Sequence, residues 1–470
     1  MTGGGVTGSY EFDLVCIGSG PAGQRAAIQA AKLGRRAALV ERRRCVGGVC
    51  IETGTIPSKT FREAVLRTTF DGRRFASTGR IGPDSRPTVD PLLARVSQVV
   101  AREAEVVERQ LGRNGVTLIQ GRGAFADPHT VVVDRVAGSE RLTAAHVVIA
   151  VGTEAAPPPG VPVDGEVVIT SDDIVRLRRL PRTLTVVGAG IIGLEYASIF
   201  AALGVTVTLV DRRQRPLEFV DDEIVDELIH QMRHHDVTFR LGEAVERLAV
   251  VDGRRAVTRL ESGKQIVSDM VLFSIGRLGA TAGLNLSAAG LAADERGRLE
   301  VDVQFRTSVP HIFATGDVIG YPSLAATSAE QGRLAACHAF GVEAGPMSPH
   351  YPVGIYAVPE ISMVGPIEKA LTAARVPYET GVARYREIAR GQILGDDTGL
   401  VKLLFHRETR QLLGVHCIGT GATELVHVGQ AVLALGGGLD YFLQTVFNYP
   451  TLAECYKVAA LNAANKLAAR

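Results

Sequence analysis

The sequence predicts an α/β protein organised around two Rossmann-like dinucleotide-binding units, on three observations. A Gly-x-Gly-x-x-Gly turn occurs twice; each copy lies between an apolar strand pattern and a helical one; and each is followed at one distance by an acid that closes the next strand. At 470 residues the chain is too long for one core, and its length suggests about three domains. Its composition, 46% hydrophobic and 21% charged with a net charge of +1, is that of a globular protein with no basic stripe, so no nucleic-acid partner is expected. With 52 glycines and no tryptophan, it suits tight turns better than an aromatic-rich binding surface.

The first unit opens with FDLVCI at residues 12–17, a buried strand by its apolar, β-branched run. GSGPAG follows with Gly18, Gly20 and Gly23, then AGQRAAIQAAKLG, an apolar-periodic helix ending at Gly34, then the strand RAALV closed by Glu41. The second unit repeats the plan: TLTVV, then GAGIIG with Gly188, Gly190 and Gly193, a helix to Leu203-Gly204, the strand VTVTLV, and Asp211. From first glycine to acid the interval is 23 residues in both. One such turn is weak evidence, but two in matching context are strong. Gly18 and Gly188 permit the tight turn, and Gly20 and Gly190 let the backbone approach a pyrophosphate seated on the helix N-terminus. Glu41 and Asp211 can each accept hydrogen bonds from a ribose diol.

Elsewhere the chain yields mostly exclusions. The N-terminal stretch MTGGGVTGSYEFD has no apolar core or basic leader, so no secretory signal is read there, and the first ten residues are expected to be disordered. Residues 184–210 are apolar enough to resemble a membrane span, yet three glycines and Glu195 interrupt them, which fits a buried strand–turn–helix–strand unit. No membrane association and no metal site are expected. Six scattered cysteines without a secretion signal point to a reduced, cytoplasmic interior. Cys16, Cys337 and Cys417 lie in apolar runs and read as small core residues, as does Cys455.

Residues 47–59, GGVCIETGTIPSK, resemble the redox segment of the flavoprotein disulfide reductases, the family of lipoamide dehydrogenase, glutathione reductase and mercuric reductase. The likeness runs from about residue 10 to 465. It implies FAD on the first unit and the nicotinamide nucleotide on the second. HIFATGD at 311–317 resembles a further flavin motif, which implies Asp317 as ligand of the ribityl chain. SLAATSAEQGR then resembles the helix whose positive end faces the flavin pyrimidine ring. Lys59 and Glu195 stand where the family has an ion pair beside flavin N5; such a pair is a poor source of net stability, so tuning of the flavin is the implied role. The crossing between units near Gly152, and the return at Gly276-Arg277 with Arg277 as a nicotinamide-nucleotide contact, follow from the same likeness. The implied organisation is an FAD-binding domain at 1–152 and 277–345, an NAD(P)-binding domain at 153–276, and an α+β interface domain at 346–470 through which a homodimer or larger homo-oligomer pairs.

Two positions depart from the family pattern. The redox pair there is two cysteines with four residues between them, ending just before Ile-Pro-Ser-Lys; Cys50 keeps the first place and Thr55 fills the second, and a hydroxyl forms no disulfide. Near the C-terminus NYPTLAE keeps Pro450 and Glu454 but has Tyr449 where the family has its acid–base histidine, and a phenol with a pKa of about 10 is a poor proton shuttle at neutral pH. Cys45 and Cys50 share the four-residue spacing, but Cys45 precedes the two glycines on the nucleotide side of the loop, so two loop thiols is the preferred reading.

Without the disulfide there remain a flavin and one nicotinamide site. The Thr55 and Tyr449 variants of the motifs most resemble the soluble pyridine nucleotide transhydrogenases (Si-specific type), which implies hydride exchange between NADPH and NAD with FAD, NAD and NADP as cofactors. Asp211 favours the NAD ribose diol, while Arg212 and Arg213, with Arg215 nearby, can pair with the 2′-phosphate of NADP. Two other readings stay open: an NAD(P)H:quinone or dye reductase of the same fold, and an inactive nucleotide-sensing scaffold. Reoxidation by quinone marks the first, and absence of bound yellow flavin the second.

Overall fold

The computed structural model describes residues 10–77, 88–158 and 160–469. Of the first ten residues, expected to be disordered, residues 1–9 lie outside those described, whereas Tyr10 stacks on His129 with ring centroids 4.9 Å apart. Both dinucleotide units form five-stranded parallel arrays that share the order of their first four strands, while the fifth follows the others in the chain in the first unit and precedes them in the second. In the first, the strands run Thr117–Gln120, Ala37–Glu41, Phe12–Ile17, Gly138–Ile149 and Ile312–Ala314. In the second they run Thr238–Leu241, Thr206–Asp211, Thr183–Val187, Met270–Phe273 and Val168–Thr170. The glycine-turn strand is central in both, with the acid-bearing strand beside it. Both also cross from third to fourth strand through an antiparallel meander: Arg122–Asp127 and Thr130–Arg135 in the first, Val245–Val251, Arg255–Leu260 and Gln265–Ser268 in the second.

Side-chain alternation along the first strand separates two cores. Leu14 and Cys16 join Ala26, Ala27 and Ala30 of the helix Pro21–Lys32, while Val15 and Ile17 join Phe125 and Val131. That helix ends two residues before the expected Gly34, which instead takes φ +73° and terminates it. The helix Ala325–Ala339 crosses it so closely that a Cβ on Gly332 would overlap the Ala22 carbonyl.

The apolar stretch 184–210 resolves into strand, turn, a 12-residue helix Ile191–Ala202 and strand. That helix is hydrophobic because nearly every residue from Gly193 to Ala201 is buried. Among the described residues no helix is long and apolar enough to cross a membrane.

The second unit sits between two passages of the chain that pair directly: Thr153–Ala155 runs antiparallel to Arg277–Gly279. The C-terminal part is an antiparallel sheet ordered Val353–Ile355, Ile361–Val364, Leu412–Ile418, Leu400–His406, Tyr378–Arg384. The helices Ala422–Ala434 and Glu454–Ala468 pack on it, joined by Tyr456, whose hydroxyl donates to the Leu425 carbonyl at 2.8 Å. Buried Lys402 of this sheet binds Asp221 of the second unit at 2.8 Å and also pairs with Glu368, tying the two parts together.

Candidate active site

The two glycine turns are superimposable in their constraints. Gly18 (φ +105°) and Gly188 (φ +107°) adopt a conformation that other residues avoid, and a Cβ on either would strike the carbonyl oxygen of Ala150 or Ser274. A Cβ on Gly23 or Gly193 would overlap the Gly18 or Gly188 carbonyl, so the third glycine lets helix and strand touch. At Gly20 and Gly190 a Cβ would meet nothing within 4 Å: the backbone there is open to an approaching group. Both helices begin at these residues with no side-chain cap, which leaves first-turn N–H groups available to an anion.

The acids close the two loops in parallel fashion. Glu41 accepts the Ser19 N–H at 3.0 Å, the Ser19 hydroxyl, and the Arg43 N–H at 2.7 Å. Asp211 accepts the Ala189 N–H at 2.5 Å and the Arg213 N–H at 2.8 Å. The guanidiniums then diverge. Arg43 pairs with Glu52, whereas Arg213 folds back onto Asp211 with contacts of 3.0 and 2.7 Å. Burial pushes the Asp211 carboxyl up, but the hydrogen bonds from Arg213 and Ala189 outweigh it and hold the group below the usual carboxylate range. Arg212 is exposed, 3.7 Å from Glu261, and Arg215 turns away to Asp222 and Asp226.

A cavity of about 810 Å³ joins the two turns, lined by Ser19 and Gly20 on one side and Gly190 and Ile191 on the other. In its wall Lys59 Nζ lies 2.8 and 2.9 Å from the two oxygens of Glu195. Lys59 comes from the helix Thr55–Ser77 and Glu195 from Ile191–Ala202, so each of the first two units supplies one partner. The third part of the chain fastens them: the Tyr356 N–H donates to Glu195 Oε1 at 2.8 Å and its ring lies 4.8 Å from Lys59 Nζ. Next to it Val358 N–H donates to Ser198 Oγ at 2.9 Å, and Arg62 Nε donates to the Ala357 carbonyl at 2.9 Å. Glu195 is 5% exposed and Lys59 25%, so the carboxylate is held dry while the ammonium reaches the cavity.

Asp317 lines the cavity in the turn after Ile312–Ala314, and burial raises its carboxyl above the ordinary value, with Arg277 and Ser328 opposing. Leu324, Ala325 and Ala326, the start of the helix Ala325–Ala339, also line it. Gly152 and Gly276 form part of the wall. Arg277 is placed there too, but its guanidinium is committed to the chain: Nε to Thr153 Oγ1 at 2.8 Å, Nη2 to the Thr153 carbonyl at 2.9 Å, Nη1 to Asp172 at 3.1 Å. It thereby clamps the two passages between units. The residues fit a flavin dinucleotide: open backbone at Gly20, an anion-ready helix end, and two buried hydroxyls beside the cavity, of Thr53 and Thr315, with no partner among the described residues.

Cys50 and Thr55 both line the cavity. Burial pushes the Cys50 thiol up, against a hydrogen bond from Thr55, so it is a weak nucleophile at neutral pH. Cys45 is a separate free thiol outside the lining. Tyr449 and Glu454 are not brought to this cavity: Tyr449 is 68% exposed, and Glu454 opens the last helix with one carboxylate oxygen buried and without a partner among the described residues. Asp211, Arg212 and Arg213 are not part of the cavity lining, although Asp211 is bonded to Ala189 of the glycine turn whose Gly190 lines it.

Sequence reasoning missed Ser19, which bridges Glu41 and the Gly47 N–H (2.8 Å), and Gly48, whose backbone packs on Gly20. It also missed Tyr356, 161 positions from Glu195. A serine inside a glycine turn, and a tyrosine in a distant loop, carry no local pattern that marks them.

The chain matches the family model for pyridine nucleotide-disulphide oxidoreductase over residues 12–332, and that for the same family's dimerisation domain over 351–460. It is 52% identical to the soluble pyridine nucleotide transhydrogenase of Mycobacterium tuberculosis over 98% of each chain. It is 41% identical to the protein of that name from Colwellia psychrerythraea, over 98% of this chain and 99% of the other. Among solved structures, LpdA from Mycobacterium tuberculosis superposes with a TM-score of 0.88 at 26% identity, covering 95% of this chain and 98% of that one. The HOCl-induced flavoprotein disulfide reductase RclA of Escherichia coli does so with 0.86 at 25%, covering 96% and 99%. Two dinucleotide units, a shared cavity and these likenesses agree: the chain belongs to the pyridine nucleotide-disulphide oxidoreductase family, in its soluble pyridine nucleotide transhydrogenase branch.

Proposed function

We propose that the protein is an FAD-dependent soluble transhydrogenase of the Si-specific type, moving hydride from NADPH to NAD by a ping-pong route with no redox disulfide. Bound FAD supplies the hydride-accepting and hydride-donating chemistry. The observation that carries the reading is a cavity spanning both glycine turns, with the Lys59–Glu195 pair in its wall and Thr55 there in place of a second thiol. Gly18, Gly20 and Gly23 with Glu41 and Asp317 would hold FAD. Gly188, Gly190, Gly193, Asp211, Arg212 and Arg213 would hold either nicotinamide nucleotide in turn. Glu195 holds Lys59 in place at the cavity, and the Tyr356 N–H fixes the carboxylate. We assign Cys50 no nucleophilic role, in keeping with its raised thiol pKa.

The domain division 1–152 with 277–345, 153–276 and 346–470 is proposed alongside; the two parallel sheets and the C-terminal antiparallel sheet each fall within one of these parts, and the Thr153–Ala155 and Arg277–Gly279 pair marks the crossing between the first two. Homodimer formation and cytoplasmic residence are proposed too. The first is supported by the dimerisation-domain match and by exposed Leu435, Tyr441, Val446, Tyr449 and Leu461 on that part. Any contribution of Tyr449 and Glu454 to an active site would then be made to the partner subunit.

Stopped-flow mixing tests the activity: protein reduced with NADPH is mixed with a thio-NAD analogue or with a quinone. Rapid reoxidation by the nucleotide is expected; slow reoxidation there with fast quinone turnover would overturn the proposal. Two new thiols per flavin on reduction would contradict the thiol-free route.

A further inference from the structure

We propose that the Arg213 guanidinium is a two-position latch on the Asp211 carboxylate, closed as seen here and open when either nicotinamide nucleotide is bound. This rests on the transhydrogenase reading and deepens it, because it explains how one site serves a ribose diol and a ribose 2′-phosphate.

A carboxylate offers about four acceptor positions on its two oxygens. In Asp211 all are used: Oδ2 by the Ala189 N–H and Arg213 Nη2, Oδ1 by the Arg213 N–H and Arg213 Nε. In the closed form a ribose diol therefore finds no acceptor on the acid. Two of the four donors are backbone groups fixed by the glycine turn and the following loop. The other two belong to a single guanidinium on a side chain 46% exposed, beside an acid 7% exposed. Rotation of that one side chain frees two acceptor positions while two backbone hydrogen bonds remain, so Asp211 is never left a bare buried charge.

The released guanidinium does different things for the two ligands. With NAD it goes to solvent, and the diol takes its place on Asp211. With NADP the phosphate would be repelled by Asp211 alone; the guanidinium swings onto the phosphate oxygens, its fork suited to two hydrogen bonds, with exposed Arg212 adjacent. Arg213 is also the leading opponent of burial in holding Asp211 ionised, so the latch closes as a charged pair at neutral pH. The first unit has the same acid-Arg-Arg order, as Glu-Arg-Arg at 41–43, but no latch: Arg43 is held by Glu52, and the Ser19 hydroxyl occupies the acid. A unit that keeps one dinucleotide needs no movable cation, and a unit that exchanges two does.

The test is isothermal titration of the flavin-loaded protein with NAD and, separately, NADP, in wild type, Arg213→Ala and Arg213→Lys; oxidised nucleotides need no turnover. In Arg213→Ala, NADP affinity is expected to fall about 10- to 100-fold, the range of a charged hydrogen bond, while NAD affinity rises. Arg213→Lys, a cation without a fork, is expected to fall between wild type and alanine for NADP. Parallel loss of both affinities would make Arg213 a mere prop of Asp211, and no change in either would make it a surface residue; both results overturn the latch and leave the transhydrogenase reading standing. Wild-type protein that binds only one of the two nucleotides would overturn that reading itself.

Discussion

The two dinucleotide units are one design carried out twice with different side chains, and the differences fall at positions that the glycine motif leaves free. The order of four strands, the meander crossover, both positive-φ glycines and the acid's backbone hydrogen bonds coincide. Yet the first unit has Ser19 where the second has Ala189, an arginine parked on Glu52 where the second parks it on the acid, and exposed Arg25 where the second has buried Glu195. The serine locks the first loop: it donates to Glu41 and accepts from Gly47. The second loop has no such lock. The helix position two residues after the third glycine is solvated in one unit and is half of the Lys59–Glu195 ion pair in the other. On the proposed function, the shared backbone accounts for nucleotide binding, and the free positions account for residence in one unit and exchange in the other.

Substituting the third glycine should produce the largest effects and tests whether the units act independently. Gly23→Ala is expected to abolish stable flavin retention, read as flavin absorbance per chain. Gly193→Ala should leave the flavin in place and weaken nicotinamide-nucleotide binding by roughly 10- to 100-fold, the equivalent of about 1–3 kcal/mol of overpacking. Loss of both ligands in both variants would break the comparison.

Next in size, Glu195→Gln should slow flavin reduction by NADPH by about 100-fold, the scale of a lost preorganised electrostatic group. Its counterpart Arg25→Ala, solvated, should leave the rate unchanged. Equal rates in the two variants would mean that the Lys59–Glu195 pair has no part in hydride entry.

The last effect falls on the lock and on stability, not on ligand or rate. Ser19→Ala strands the Gly47 N–H and should lower stability by about 1–3 kcal/mol, seen as a reduced urea midpoint with an unchanged slope. The reverse change, Ala189→Ser, should have little effect on the midpoint, because Asp211 already has its acceptor positions filled. A stabilised Ala189→Ser protein would show that the hydroxyl displaces Arg213, which would turn the second unit toward the first.

The sequence by itself determined the repeated turn, the order strand–helix–strand, the identity of both acids and the place of Lys59, Glu195, Asp317 and Thr55 in known motifs. These are properties of short runs: a positive φ demands glycine, a strand shows as an apolar run, and an acid at a set interval falls at the end of the second strand. Only the tertiary structure decided that Tyr356 closes over the Glu195–Lys59 pair, that Arg277 clamps Thr153 and Asp172, and that Arg213 lies on Asp211 while Arg43 does not lie on Glu41. It also decided that Tyr449 and Glu454, matched by motif, stand apart from the cavity of their own chain. Those outcomes depend on contacts made by segments far apart in sequence and on rotamers chosen among neighbouring charges. An arginine two residues after an acid reads the same in both units; which carboxylate it reaches depends on whether another, such as Glu52, is folded within its range.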